Sequence, residues 1–502
     1  MTVVINGTTG ITSPGGDTGA ADFNINGLTV GKGGGSATGN SAVGYQALNT
    51  NTSGTYNTAV GYQAGYSNTT GGVHAFGTAV LYANTTGLAN AGFGGYDGAS
   101  SIGSALRNNS TGSNNSAFGV GAMNQNTTGG LNVAVGTQAL YSNTTANYNT
   151  AIGFNAIYAN TTGTNLDAVG AYVLNKNTTG VANIAMGGSG TIPALYNNTT
   201  GSYNVGLGTG ALFSNTTASL NTAVGYQALY SNTTGQENTV LGQAAGYAIT
   251  TGSGNTYIGK SAGVAVTTGW GNVLIGDSTG ASLTTGSGNT FVGSGDGRSV
   301  NPAGYLVTTG SNNTIIGAYN GNQGGLDIRT ASNYIVLSDG SGNPRCIIDN
   351  GGNLIVGRTT SQGRISAERD NNDWCYNSNQ TGTGTKNHFR FLDNGTVVGT
   401  ITSSGSVTSY NVTSDRRLKE NITDSLSGNI DEIQVRSFNY ISDKSFVKYG
   451  FIAQELVEVA PYAVHQPSNS DEMMAVDYSK LVPMMVKEIQ ELRKRVALLE
   501  SK

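Results

Sequence analysis

Charge is scarce in this chain. Only 10% of its 502 residues are Asp, Glu, Lys or Arg, against roughly 25% in an ordinary globular protein. With a net charge of −4 there is no basic surface to suit a nucleic acid or an anionic membrane. Proline occurs 7 times and cysteine twice, as Cys346 and Cys375. They form no CxxC pair and fall short of the four ligands of a structural zinc site, so two free thiols in a reducing compartment are expected. His74 is the lone histidine between residues 40 and 317, which argues against a metal cluster there. No cofactor is expected. No apolar run approaches the ~20 residues of a membrane span. The opening MTVVINGTTGITSPGG lacks the basic and apolar regions of a secretory signal. Synthesis in a cytoplasm, without membrane insertion, is the expectation.

Glycine, by contrast, is abundant: 77 residues, without the three-residue period of collagen. Hydrophobic residues reach 37% and recur regularly, unlike those of disordered chains. NTAVGYQAGYSNTTG (57–71), NTAIGFNAIYANTTG (149–163) and NTAVGYQALYSNTTG (221–235) share one pattern. Its glycine after the large apolar residue falls at Gly44, Gly61, Gly77, Gly94, Gly119, Gly136, Gly153, Gly170, Gly187, Gly208, Gly225, Gly242, Gly259, Gly276, Gly293 and Gly317. The steps are 17 residues, apart from one of 16 and three of 25, 21 and 24 that place insertions before Gly119, Gly208 and Gly317. A fixed period of this kind marks a solenoid.

Seventeen residues suit two short strands and two turns. The residue before the glycine (Val60, Phe76, Phe118, Ile152, Leu241 and their equivalents) reads as a buried column. A second apolar column lies four after it, at Leu48, Leu81, Met123, Leu140, Ile157, Leu174, Leu212 and Leu229. From about residue 246 this place is often Gly, so the later rungs must pack differently. N-T-T-G supplies a turn, Asn and Gly tolerating positive φ. Rungs stacked ~4.8 Å apart make a rod of roughly 75 Å. One rung buries little alone, so association with copies of itself is expected. The N-T-A-V-G element resembles the repeat of trimeric autotransporter adhesin heads, which implies parallel β-rolls packed as trimers over residues 40–317.

Tyr66, Tyr82, Tyr141, Tyr158, Tyr230 and Tyr247 recur after the second column. Such a series either stacks on sugar rings or packs along the rod, and packing is the commoner use of tyrosine. The acids Asp97, Asp167, Glu237, Asp277 and Asp296 are scattered over different rungs, unlike the paired carboxylates of a glycosidase. Residues 326–413 read as short strands joined by Asp-Gly and Asn-Gly turns, with Asn394-Gly395 marking a hairpin. Trp374 and Tyr376 there are receptor contacts or core.

The composition breaks at Ser414. Residues 414–502 carry 12 of the 24 Lys and Arg and 14 of the 28 Asp and Glu. Val482, Met485, Ile489, Leu492, Val496 and Leu499 are spaced 3, 4, 3, 4, 3, a coiled-coil seam. S-D-R-R-L-K-E-N-I (414–422), Y-G-F-I-A-Q-E-L (449–456) and V-D-Y-S-K-L-V-P (476–483) follow in order. Together they resemble the intramolecular chaperone of endosialidases and phage tail spikes and fibres. That resemblance implies trimerisation of the fibre and then self-cleavage by a Ser–Lys dyad. Ser414 would be the nucleophile, Lys419 the base, and the cut would fall between Thr413 and Ser414. A serine hydroxyl needs a base, and lysine, with an ordinary pKa of ~10.4, becomes one when burial disfavours its charge.

The expected organisation is an attachment segment (1–39), a 17-residue-repeat β-solenoid rod (40–325), a β-rich tip or junction (326–413) and a chaperone and autoprotease (414–502). The expected role is a homotrimeric virion tail fibre or spike that binds a host cell-surface receptor, a glycan by preference, and joins other tail proteins through its N-terminus. The alternatives are a bacterial trimeric surface adhesin and a polysaccharide-degrading spike.

Overall fold

The computed structural model describes residues 5–6, 10–11, 23–25, 28–35, 37–96, 103–188, 190–295, 300–356, 365–367, 386–393, 396–404, 407–412, 416, 419, 421–425, 428–441, 444–467 and 473–502. They fall in two compact units, Met1–Asn377 and Ser378–Lys502.

The first unit is a β-solenoid. Each rung contributes one strand of three or four residues, such as Thr150–Ile152, paired parallel and in register with Val133–Val135 and Asp167–Val169. The ladder runs from Ser41–Val43 to Ile335–Ser338. Antiparallel strands Leu28–Gly31 and Pro344–Ile348 flank it at its two ends. Where a second strand was expected, residues two and four after the repeat glycine turn left-handed instead: Gln46 at φ 56° and Leu48 at φ 52°. Bonds to the next rung continue there, with Leu48 N–H donating to the Ala64 carbonyl at 3.0 Å. A left-handed leucine costs roughly 1–2 kcal/mol, and full burial of its side chain offsets this by about 1.5–3 kcal/mol.

The repeat glycines span φ +105° to +154°, and a Cβ on Gly136 would lie 2.5 Å from the Gly153 carbonyl oxygen. Only glycine meets both demands. The large residue before it, however, is not the core. Because strand side chains alternate, the middle residue (Ala59, Ala117, Ala134, Ala151) points inward and is fully buried, while Val60, Phe118, Val135 and Ile152 lie outward, each about 40% exposed. The column four after the glycine is buried as expected. In later rungs the two inner places exchange volume. Tyr257, Leu274 and Phe291 occupy the strand centre, and Gly263, Gly280 and Gly304 stand opposite; a Cβ on Gly263 would meet the Tyr257 ring at 2.6 Å.

The N-T-T-G asparagines also correct the expectation. They are not left-handed turn residues but buried rungs of a side-chain ladder, from Asn51 to Asn232. Asn143 Nδ2 donates to Asn126 Oδ1 at 2.7 Å and to the Ala146 carbonyl at 3.1 Å, and each neighbour repeats the arrangement. Burying an amide requires such partners, and stacked identical rungs supply them. Ile249, Val266, Leu283 and Val307 take over this place, so Asn232 Oδ1 ends the series without a partner. A second ladder runs four residues before the glycine, as in Asn132 Nδ2 to Asn115 Oδ1 at 3.1 Å.

All three insertions leave from one corner. In a regular rung the N–H three after the glycine returns to its carbonyl, as Ala47 does to Gly44 at 3.2 Å. Ala105 to Gly94, Ala194 to Gly187 and Ala303 to Gly293 keep that bond at 3.0–3.2 Å around 95–104, 188–193 and 294–302.

The second unit has an antiparallel sheet of Lys386–Asp393, Thr396–Ser404 and Val407–Val412. Beyond it come the hairpin Arg436–Asn439 with Phe446–Gly450, helix α1 (Ala453–Val459) and helix α2 (Val482–Glu500). Leu456, Ala460, Ala463, Val464 and Leu481 form its small core.

Candidate functional site

The motifs at 449–456 and 476–483 map onto this core. Gly450 ends a strand beneath Phe438, whose ring a Cβ would meet at 2.7 Å. Leu456 plants α1 in the core, and Glu455 beside it grips Arg436 through two bonds of 2.9 and 3.0 Å. Each partner holds the other charged: the guanidinium keeps the Glu455 carboxyl below the usual range. Asp477 accepts the Ser479 N–H at 3.1 Å and caps the short turn Tyr478–Leu481, and Pro483 then opens α2. These residues shape and orient the domain.

Of the expected dyad, Lys419 is exposed in the single chain, its N–H donating to the Arg416 carbonyl at 3.0 Å. Thr413 and Ser414 lie outside the described residues, as do Asp97, Asp296, Trp374, Cys375, Tyr376 and the Asn394-Gly395 turn. Cys346 is a free, half-buried thiol. The seam Val482, Met485, Ile489, Leu492, Val496 and Leu499 is exposed along α2, which buries no residue in this chain.

On the rod, two columns stand out. The outward strand residue gives a continuous apolar stripe from Val43 to Leu337, with Phe76, Phe93 and Phe118 stacked at 4.4 and 4.8 Å. The aromatic column packs on itself: Tyr196, Phe213, Tyr230 and Tyr247 stack at 5.1–5.7 Å with planes within 8°. Phe213 and Tyr230 are covered by rings on both faces, which removes these two as sugar platforms. Phe213 and Tyr196 are members the sequence reading missed; counting from the glycine through the insertions would have found them. Among the described residues no group of His, Cys, Asp and Glu is placed to hold a metal, and no helix is long and apolar enough to cross a membrane.

The described residues thus define a β-solenoid rod of 17-residue rungs, joined in sequence to small sheets and a helical C-terminal segment. Within that segment lies an endosialidase-type chaperone domain: residues 414–465 match the family model described as chaperone of endosialidase. The combination is consistent with the architecture of a phage tail fibre or spike. No curated protein and no solved structure matches the chain.

Proposed function

We propose that the chain is a bacteriophage tail fibre or spike subunit for host-surface attachment, whose C-terminal domain drives trimerisation and is then released by cleavage between Thr413 and Ser414. The observation that carries this is the chaperone match at 414–465, following directly in sequence on a repetitive rod and its terminal strands. Two unpartnered apolar surfaces support association: the outward stripe of the rod and the seam of α2. Contiguous exposed apolar surface of this extent marks an interaction site. Homotrimers made in the host cytoplasm and built into the virion tail would cover both.

The chemistry would run as follows. Ser414 Oγ attacks the Thr413 carbonyl carbon while the Lys419 amine takes the hydroxyl proton. The amide C–N bond breaks, its nitrogen leaving with a proton as the new amino terminus, and water then hydrolyses the ester. A general-base amine must be neutral, and burial disfavours the ammonium form. Lys419 lies at the surface of the single chain, so association of subunits has to supply that burial. Cutting would then report completed assembly.

The test is intact mass and light scattering on the full chain, Ser414→Ala and Lys419→Ala. The expected result is a trimer of residues 1–413 from the native chain and whole trimers from both variants. A native trimer that stays whole refutes the dyad, and a folded native chain that stays monomeric refutes the fibre reading.

A further inference from the structure

A ring stacked on both sides offers no face, so a ligand site on this column would lie where the column breaks. It breaks beside each insertion, at Asn175 before 188–193 and at Val264 and Ala281 before 294–302, and the break beside 95–104 opens onto a groove. Tyr66 and Tyr82 stack at 5.0 Å, and Tyr141 and Tyr158 at 5.2 Å. Between these pairs the column places are held by Arg107 and Asn124. The insertion 95–104 leaves from the corner beside them. The result is a surface groove of about 510 Å³ bordered by Tyr62, Tyr96, Arg107, Asn108, Gln125 and Tyr141.

Its chemistry is specific. Arg107 sits with its guanidinium carbon 5.2 Å from the Tyr82 ring centre, and no carboxylate among the described residues pairs with it. It is one of four cationic residues between 40 and 317, with Lys176, Lys260 and Arg298. The amides form an oriented chain: Asn108 Nδ2 to Gln125 Oε1 at 3.1 Å, Gln125 Nε2 to Asn124 Oδ1 at 2.8 Å, and Asn124 Nδ2 to the Ser104 carbonyl at 3.0 Å. Ser104 in turn donates to the Thr78 carbonyl, tying the insertion to the rung of Gly77, and accepts the Tyr96 N–H within the insertion. Tyr141 is stacked by a ring on one side only, its other neighbour in the column being Asn124.

We infer that this groove binds an oligosaccharide bearing an acidic group. A sugar ring presents a C–H face to an aromatic ring such as Tyr141, and adjacent hydroxyls to planar amides such as Asn108 and Gln125. The acid group meets the fork of Arg107, which recognises carboxylates with both charge and geometry. Insertions in a repeat protein collect on one face and often form its binding face, and the retained corner bond from Ala105 to Gly94 leaves the rung intact beside Tyr96 and Ser104. The inference rests on the reading of the rod as an attachment fibre.

The test is calorimetric titration of the full chain with trigalacturonate, an α2,8-linked sialic acid trimer and neutral maltotriose. At least one acidic trimer should bind, maltotriose about tenfold more weakly or not at all. Arg107→Gln and Tyr141→Ala should each weaken the acidic trimer about tenfold or more. Tyr247→Ala, at the far end of the stacked column, should bind as the native chain does. Circular dichroism matching the native chain qualifies each variant. Absence of binding by both acidic probes at about 10 mM overturns the inference, as does native-like binding by folded Arg107→Gln and Tyr141→Ala. A chain that trimerises and is cut after Thr413 yet ignores both acidic probes refutes the groove alone. A chain that stays whole and monomeric refutes the fibre reading.

Discussion

Replacing one buried asparagine by leucine should be costly in the middle of the ladder and harmless at its end. Asn143 Oδ1 accepts from Asn160 Nδ2 at 3.2 Å, and Asn143 Nδ2 serves Asn126 Oδ1. Asn143→Leu leaves Asn126 Oδ1 with no donor and one Asn160 N–H with no acceptor. The Ala146 carbonyl keeps its bond from Asn132 at 2.9 Å. Two orphaned buried groups cost about 1–3 kcal/mol each, and the buried leucine returns about 1.5–3 kcal/mol, for a net loss of about 2 kcal/mol. At Asn232 the count differs. Its Oδ1 is already orphaned, and its Nδ2 serves Asn215 Oδ1 at 3.0 Å. Asn232→Leu moves the orphan back to Asn215 and adds none, so it should be neutral to stabilising. Native-state hydrogen exchange reads this locally, through the Thr144 amide bonded to Thr161 and the Thr233 amide bonded to Thr250. Protection at Thr144 should fall about 30-fold in Asn143→Leu, at 1.4 kcal/mol per factor of ten. Thr233 should keep or gain protection in Asn232→Leu. Equal losses at the two sites would refute the orphan count and leave asparagine simply a better filler than leucine.

Two further outcomes follow from the same structure. Tyr257→Ala should cost about 3–5 kcal/mol by opening a cavity, and adding Gly263→Leu should recover part of it, because the double variant copies the Ala168 and Leu174 pair; thermal melts of the three chains check this. Asp339 is held down to about 2, first by its hydrogen bond with the Arg345 side chain and then by the Asn343 N–H. A depressed carboxylate contributes stability above its ordinary value of ~3.9, and that contribution is lost as pH falls through about 2. NMR titration should place the midpoint near 2 in the native chain and higher in Arg345→Ala, still below the ordinary value because the Asn343 and Ser341 N–H bonds remain; an unchanged midpoint rejects the pairing.

The solenoid was legible because one place in the rung admits only glycine, and its repetition every 17 residues survives three insertions. The core was misread by one residue. Val60 and Ile152 look like interior residues, and Ala59 and Ala151 do not, yet a three-residue strand can turn only its middle inward. The asparagines misled for a related reason. Alone, Asn belongs in turns; stacked on its own copy, its amide pairs with the amide above, and no single rung reveals that. The exchange at Tyr257 and Gly263 was half visible, as a change in glycine pattern whose compensating partner lies six residues earlier. In the C-terminal domain the motifs at 414–422 and 449–456 fall within the matched stretch 414–465 and the one at 476–483 lies beyond it, and none of them tells of the environment that Lys419 meets in an assembly.

The outward stripe of the rod has one more consequence. It offers a similar apolar residue at every level from Val43 to Leu337. A surface so uniform is a poor vernier: two copies displaced by one rung would meet almost the same contacts, and along the stripe only the run Phe76, Phe93 and Phe118 marks the slip. Strands with undistinguished faces fix their register weakly. For copies that associate along it, alignment has to be imposed from an end, before the long surfaces close, by an element whose sequence does not repeat. The α2 seam and the domain around it are such an element, and once the levels match, their information has been used.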